Sequence, residues 1–294
     1  MYVCLSMIRI EHQVSLQYQI GANGADLILN IHAAQTVRQS VGHERVHISQ
    51  PVAFEMFVDP VTRSRFMRLH ASPGWLQIQH SSTVDVQHHQ RDPDSLGEVP
   101  VCHLPFETLT YLNPSRYCQS DQFSHLAMQQ FGALPRGYRR VQAIQRWVQQ
   151  RVRFTPNTSN TNTSAVETLR SGQGVCRDFA HLMIALCRAL CIPARFSTGT
   201  DWGADPVLGP PDFHAYVEVY LEGGWYIFDA SGTAIPMGFI RIGTGRDAAD
   251  VPFASIYGDV TPQAPVIQSR AIEDAWRGYP QPTHTDWALS TDAG

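Results

Sequence analysis

A cysteine preceded by glycines opens a helical pattern of apolar residues in the second half of the chain. Cys176 follows the run 171–175, and apolar residues recur after it at helical spacing: Phe179, Leu182, Met183, Leu186 and Leu190. Backbone N–H groups and aligned peptide dipoles at a helix N-terminus favour negative charge, so a thiol there ionises more readily than in solution. We therefore predict that Cys176 is a nucleophile with a lowered pKa, which alkylates faster than Cys187 and Cys191, two cysteines interpreted as small buried hydrophobes.

A histidine and an aspartate follow in an order that suits a nucleophilic thiol. His214 begins an alternating stretch, 214–221, and lies on the face opposite to its aliphatic residues. The turn residues 222–224 predict a hairpin, whose returning strand brings Asp229 back alongside the start of the His214 strand. A nucleophile, a proton carrier and a carboxylate that fixes the imidazole tautomer are the groups that covalent acyl transfer needs.

These motifs together resemble the bacterial transglutaminase-like proteins, often described as candidate cysteine proteases. The resemblance extends over most of the chain and rests on four segments: 172–180, 213–215, 225–229 and 245–251. It implies a papain-like core with a triad of Cys176, His214 and Asp229, preceded by an N-terminal β-rich domain. It leaves the reaction open, because the superfamily includes cross-linking transferases, peptidases, deglycosylating amidases and inactive relatives.

Alternating segments and turn residues predict an α+β fold with an N-terminal β-sandwich followed by a papain-like, transglutaminase-like catalytic core. We place the β-rich domain at 1–110, the catalytic domain at 111–280 and a loosely ordered tail at 281–294. The first strand is predicted over residues 7–20, with Asn23-Gly24 marking its end. The β-rich domain is interpreted as architectural, because its histidines and cysteines form no recognisable constellation along the sequence.

Composition narrows the classes of function. The chain has 294 residues with a hydrophobic content of 43%, and no run approaches the roughly 18 apolar residues that span a bilayer. The first residues lack the pattern of a secretory signal, so we expect a cytoplasmic location. A net charge of −4 without a basic run argues against nucleic-acid and membrane partners. The sequence leaves the oligomeric state open.

The cysteines and the remaining histidines predict neither a disulfide scaffold nor a metal site. Six cysteines are too sparse for a scaffold, and no Cys-x-x-Cys pair is present. His88 and His89 are interpreted as a solvated loop pair, and His181 as a packing or surface residue. We therefore expect catalysis without a metal or an organic cofactor.

Several polar residues near the motifs are assigned supporting roles. Asp178 is interpreted as a structural cap in the first helical turn, since a carboxylate there would oppose thiolate formation. The Cys176 N–H is expected to be one oxyanion donor, with a second from the loop 155–162. Three charged residues of the last motif are expected to form structural salt bridges: Arg246, Asp247 and Asp250.

The predicted activity is cleavage or transfer of an amide or peptide bond through a thioester on Cys176. All 22 basic residues are arginine. The absence of lysine fits a transferase protected from cross-linking itself, but codon bias explains it equally well. No acidic calcium loop is apparent, and hydrolysis of a peptide or protein amide is favoured over transfer to an amine. The alternatives are a glutamine-amine transglutaminase and a catalytically silent binding module.

Overall fold

Strands dominate the first third of the chain and return near its end. The computed structural model describes residues 7–204 and 212–292. In the N-terminal region the strands are β1 Ile8–His32, β2 Gln39–Ile48, β3 Phe54–Val58, β4 Arg65–Ala71, β5 Gly74–Val86 and β6 His89–Arg91. The helices are α1 Ser124–Phe131, α2 Tyr138–Arg151, α3 Ala165–Ser171 and α4 Cys176–Ala189. The later strands are β7 Arg153–Phe154, β8 Gln173–Gly174, β9 Ala194–Asp201, β10 His214–Leu221, β11 Gly224–Phe228, β12 Phe239–Gly245, β13 Ala254–Pro262, β14 Val266–Ala271 and β15 Ala288–Ser290. The predicted α+β class is confirmed.

Strands β1 to β5 of the N-terminal region join in one hydrogen-bonded sheet, while β6 pairs separately with β15. The order of the larger sheet is β2-β5-β1-β4-β3, and both β13 and β14 pair with β1. The strand β1 does not end at Asn23-Gly24, because the chain continues through an irregularity between Ile20 and Ala25 and pairs further with β4 and β13. The boundary at residue 110 stays a prediction, and residues 254–271 add a C-terminal contribution to this sheet.

The catalytic region is built on a second, four-stranded sheet with the order β11-β10-β9-β12. Helix α4 packs against β9 and β10, and its residues from Asp178 to Arg188 are buried. Apolar residues of α2, α4 and this sheet form one core cluster. A helix buried along its length holds its first residue in a fixed place, so α4 can present Cys176 at the edge of this core.

The C-terminal tail is held by strand pairing and charge, although we expected residues 281–294 to be loosely ordered. Strand β15 is fully buried and pairs with β6. Beyond it, Asp292 lies 2.7 Å from the Arg195 guanidinium and 3.2 Å from that of Arg241. These two arginines are buried, so the Asp292 carboxylate compensates charges that have lost their water.

In the described parts of the chain, no helix has the length and apolar character needed to cross a membrane.

Candidate active site

Local backbone geometry explains the glycines before Cys176. Gly172 ends α3 in the left-handed region, with φ of 64°, where residues with a Cβ are disfavoured. A Cβ on Gly174 would lie 2.7 Å from the Cβ of Asp178. Asp178 is buried and its Oδ2 accepts the Val175 N–H at 2.9 Å. The predicted structural role of Asp178 is confirmed.

The loop that precedes α3 is fastened to the start of α4. The Ser159 hydroxyl donates to Asp178 Oδ1 at 2.9 Å, and the Arg177 guanidinium donates to the Asn160 carbonyl at 2.6 Å. The loop 155–162 therefore lies beside the N-terminus of α4. The second oxyanion donor stays a prediction, and the Ser159 hydroxyl is already engaged by Asp178.

The structure brings His214 and Asp229 together, because β10 and β11 form the expected hairpin. Its turn residues Glu222 and Gly223 both have positive φ, 45° and 86°, as a two-residue turn that matches the strand twist requires. The strands pair up to Val217 and Phe228, and the next residue is Asp229. His214 Nε2 then lies 3.3 Å from Asp229 Oδ1.

Asp229 is held by a set of hydrogen bonds that the sequence did not indicate. Its Oδ1 accepts the Ser231 hydroxyl at 2.7 Å, and its Oδ2 accepts the Ala234 N–H at 2.9 Å. Its backbone carbonyl accepts the Gln145 side-chain amide at 2.7 Å. Although burial disfavours its charged form, the hydrogen bond and charge of His214 lower the pKa of Asp229. The carboxylate is thus ionised and fixed in orientation.

His214 lies between two carboxylates, of which Asp201 was missed. Its Nδ1 is 3.5 Å from Asp201 Oδ2, on the side opposite to Asp229. Asp201 is the last residue of β9, and the Tyr216 hydroxyl lies 3.5 Å from its Oδ2. Although burial favours the neutral imidazole, the hydrogen bond and charge of Asp229 and the charge of Asp201 raise the pKa of His214.

The thiol of Cys176 lies at the start of the His214 strand, but its pKa is not lowered. Its Sγ is 4.0 Å from the carbonyl oxygen of Phe213, the residue before His214. Burial raises the pKa of Cys176 to about 12, and hydrogen bonds from the N–H groups of Ala215 and Arg177 offset only part of this effect. The prediction of a lowered pKa is wrong for this arrangement, because desolvation outweighs the helix terminus.

The other cysteines and histidines depart from their predicted environments in two cases. Cys187 is buried as expected, but Cys191 is exposed, because it follows the end of α4. His88 is buried rather than solvated, and burial lowers its pKa to about 4. His181 is a packing residue as predicted, stacked on Tyr117 with ring centroids 5.0 Å apart.

Arg246 and Asp250 form the predicted structural salt bridge, whereas Asp247 accepts backbone hydrogen bonds instead. Arg246 forms a paired contact with Asp250, with nitrogen–oxygen distances of 2.9 and 3.0 Å. Asp247 is buried, and its carboxylate accepts the Tyr117 N–H at 2.9 Å. These contacts join the loop after β12 to the segment before the helices.

Comparison with known families agrees with this architecture. The family model of the transglutaminase-like superfamily matches residues 124–230, which contain Cys176, His214 and Asp229. The model of the bacterial transglutaminase N-terminal domain matches residues 8–107. A crystal structure from Cytophaga hutchinsonii, described as a candidate cysteine protease, superposes with a TM-score of 0.89 at 36% identity over 97% of each chain. The chain belongs to the transglutaminase-like superfamily. The resemblance inferred from the motifs is thereby confirmed, together with the strand-rich domain before the core.

Curated relatives of this superfamily member come from mycobacteria. An uncharacterized protein of Mycobacterium leprae is 33% identical over 123 residues, which are 40% of this chain and 44% of that protein. An uncharacterized protein of Mycobacterium tuberculosis is 35% identical over 112 residues, 34% of this chain and 36% of that protein. The chain thus matches less than half the length of these relatives.

Proposed function

We propose that the protein is a cysteine-dependent hydrolase of amide or peptide bonds that acts through a thioester on Cys176. The observation that carries the proposal is the contact of His214 with Asp229. His214 begins β10, and the Cys176 thiol lies next to Phe213, the residue before it. A silent binding module of the same fold would not need a buried imidazole held by an ionised carboxylate. The similar crystal structure from Cytophaga hutchinsonii, described as a candidate cysteine protease, supports the same proposal.

In the proposed reaction, the Cys176 proton passes to His214 as the sulfur attacks the carbonyl carbon of the amide. Because His214 Nε2 is held by Asp229, we assign the proton exchange to Nδ1, which also lies 3.5 Å from Asp201 Oδ2. The C–N bond then breaks, and the leaving nitrogen takes the proton from His214. Water attacks the thioester, gives one proton to His214 and releases the acid, and the sulfur recovers its proton.

The neutral thiol of the free protein bears on how this reaction starts. Since burial holds the pKa of Cys176 at about 12, the thiol is still protonated at the pH at which His214 has lost its proton. Proton transfer then accompanies attack on the carbonyl rather than preceding it. We propose a peptide or protein amide as the substrate. We also propose that the protein acts in the cytoplasm.

Hydrolysis and transfer are separated by the fate of the acyl group. The test incubates the protein with a glutaminyl peptide and a large excess of a primary amine, and weighs the products. Cleaved or deamidated peptide supports hydrolysis, whereas a peptide heavier by the amine supports the alternative of a transglutaminase. An added amine is essential, because the chain contains no lysine that could act as acceptor.

Two matched variants show whether the chemistry belongs to the proposed nucleophile. Cys176→Ser should abolish turnover. Cys191→Ser should leave turnover unchanged, because Cys191 is exposed and follows the end of α4, opposite to the end that begins at Cys176. Equal activity in Cys176→Ser and the parent protein would overturn the proposal. So would the absence of any acyl-enzyme with a panel of peptide amides and esters.

A further inference from the structure

A cluster of histidines and one glutamate lies within the N-terminal sheet, although the sequence suggested no such constellation there. His32 Nδ1 lies 3.2 Å from Glu44 Oε1, and His80 Nε2 lies 3.0 Å from the same oxygen. The ring centroids of His32 and His80 are 4.5 Å apart, and the His12 ring is 5.8 Å from that of His80. All three histidines are buried.

A bulge in β2 places the glutamate at this cluster. The pairing of β2 with β5 shifts between Gly42 and Arg45, so that two residues of β2 oppose one residue of β5. His43, within the bulge, has a φ of 50°, a conformation that is uncommon for a residue with a Cβ. Bulges re-aim side chains, and this one directs the Glu44 carboxylate toward histidines that lie on β1 and β5.

The three donor atoms lie close enough together to bind one metal ion. They are the Nδ1 of His32, an oxygen of Glu44 and the Nε2 of His80, and all lie within 4.8 Å of one another. Ligands about 2.0–2.1 Å from a tetrahedral Zn²⁺ are separated by about 3.3 Å. The separations from Glu44 Oε1, 3.2 and 3.0 Å, are close to that value.

The protonation states also suit a cation. Although burial disfavours its charged form, hydrogen bonds from His32, His80 and Arg65 hold the pKa of Glu44 well below its usual range. Burial lowers the pKa of His32, more than the Glu44 hydrogen bond raises it. The cluster therefore offers a carboxylate and a neutral imidazole at neutral pH, the forms that bind metals.

Hydrogen bonding alone leaves the cluster incompletely satisfied. His32 Nε2 and His80 Nδ1 are buried without a hydrogen-bond partner among the described residues. These are the ring nitrogens opposite the proposed ligand atoms, so metal binding at His32 Nδ1 and His80 Nε2 leaves each of them as an N–H donor. Arg65 approaches both Glu44 oxygens, at 2.9 Å to Oε1 and 2.7 Å to Oε2, so it can keep Oε2 while Oε1 binds an ion.

We propose that His32, Glu44 and His80 form a binding site for a divalent first-row transition-metal ion, with Zn²⁺ as the best-fitting ion. The Glu44 side chain is 26% exposed, which gives the ion a route from solvent and leaves a coordination position for water. The neighbouring His12, whose ring is 5.8 Å from that of His80, contacts the four-stranded sheet, since its Nδ1 is 3.1 Å from the Thr200 hydroxyl of β9.

The test measures binding of Zn²⁺ to the full chain by titration calorimetry, after removal of metals. Cys176→Ser serves as the background, so that the candidate nucleophile cannot contribute a thiolate ligand and the result does not depend on the proposed catalysis. We expect one ion per chain, with affinity falling in acid, because only a neutral imidazole can bind a metal. Glu44→Gln and His80→Asn should each weaken binding at least about tenfold.

His47→Asn is the matched control, because His47 lies on the same strand as Glu44, is exposed and is outside the cluster. It should bind Zn²⁺ as the background does, and an equal loss in this control would overturn the proposal, as would the absence of saturable binding. If the variants Glu44→Gln and His80→Asn fail to fold, the absorption spectrum of Co²⁺ bound to the Cys176→Ser background still identifies the ligands. Tetrahedral d–d bands without a sulfur charge-transfer band are expected, and thiolate ligation would contradict the site.

Discussion

The Nδ1 atom of His214 lies 3.5 Å from the Oδ2 atom of Asp201, while the Nε2 atom of the same ring lies 3.3 Å from Asp229 Oδ1. Both carboxylates favour the charged imidazole, and together they raise the pKa of His214 despite its burial. A proton carrier with a raised pKa is neutral only toward the alkaline side. The two aspartates therefore control the pH range in which the proposed base can work.

Replacing Asp229 tests the orienting role of its carboxylate. Asp229→Asn should lower kcat/KM on the order of 10²–10⁴-fold, because the imidazole loses its tautomer and orientation but not its proton capacity. It should also move the acid limb of the pH profile to lower pH, since removal of the charge lowers the pKa of His214. His214→Ala should abolish turnover. Full activity in His214→Ala would refute the assignment, and kinetics over a range of pH measures both effects.

Asp201 is expected to act as a positioning residue with a smaller effect. Asp201→Asn removes a charge that raises the pKa of His214, so the acid limb should again shift to lower pH. Because the contact of His214 with Asp229 remains, the loss of kcat/KM should be about tenfold or less. Tyr216→Phe, which removes the hydroxyl near Asp201 Oδ2, is the matched comparison. A pH profile of Asp201→Asn identical to that of the parent protein would contradict this role.

The labelling of cysteines by iodoacetamide should reflect burial. Since the pKa of Cys176 is raised to about 12, a brief pulse at neutral pH should label the exposed Cys102 and Cys191 before Cys176. Labelling of Cys176 should increase as the pH rises, because the thiolate is the reactive form. Mass-spectrometric peptide mapping measures the order. Dominant labelling of Cys176 at neutral pH would restore the expectation of a lowered pKa.

The buried neutral His88 should make the protein less stable in acid. Burial lowers its pKa from 6.5 to about 4, so the unfolded chain binds a proton that the folded chain refuses as the pH falls below 6.5. The free energy of unfolding should drop by roughly 3 kcal/mol on account of His88 between about pH 7 and pH 4. Urea unfolding at several pH values should show a smaller decline in His88→Leu.

The control for this prediction is His70→Leu, because the His70 side chain is 65% exposed. Its unfolding free energy should follow that of the parent protein over the whole range. If His88→Leu and the parent protein lose stability in parallel as the pH falls, then the buried imidazole is not the source of the acid sensitivity.

Local patterns were sufficient to locate the candidate catalytic groups. The alternation of 214–221 and the turn 222–224 predicted the hairpin that brings Asp229 to His214, because a short turn determines which residues of two strands face each other. The start of α4 at Cys176 and the capping role of Asp178 were also readable, since both depend on contacts within a few residues. The family resemblance rested on these same segments.

Contacts between distant segments decided the rest. Asp201 reaches His214 only because β9 pairs with β10, and the pKa of Cys176 depends on the packing that removes its water. His32, Glu44 and His80 are separated along the chain and meet through the pairing of β1 and β2 with β5 and through one bulge. Periodicity predicts which residues turn inward, but strand register and desolvation are properties of the assembled sheets, so they emerge only in three dimensions.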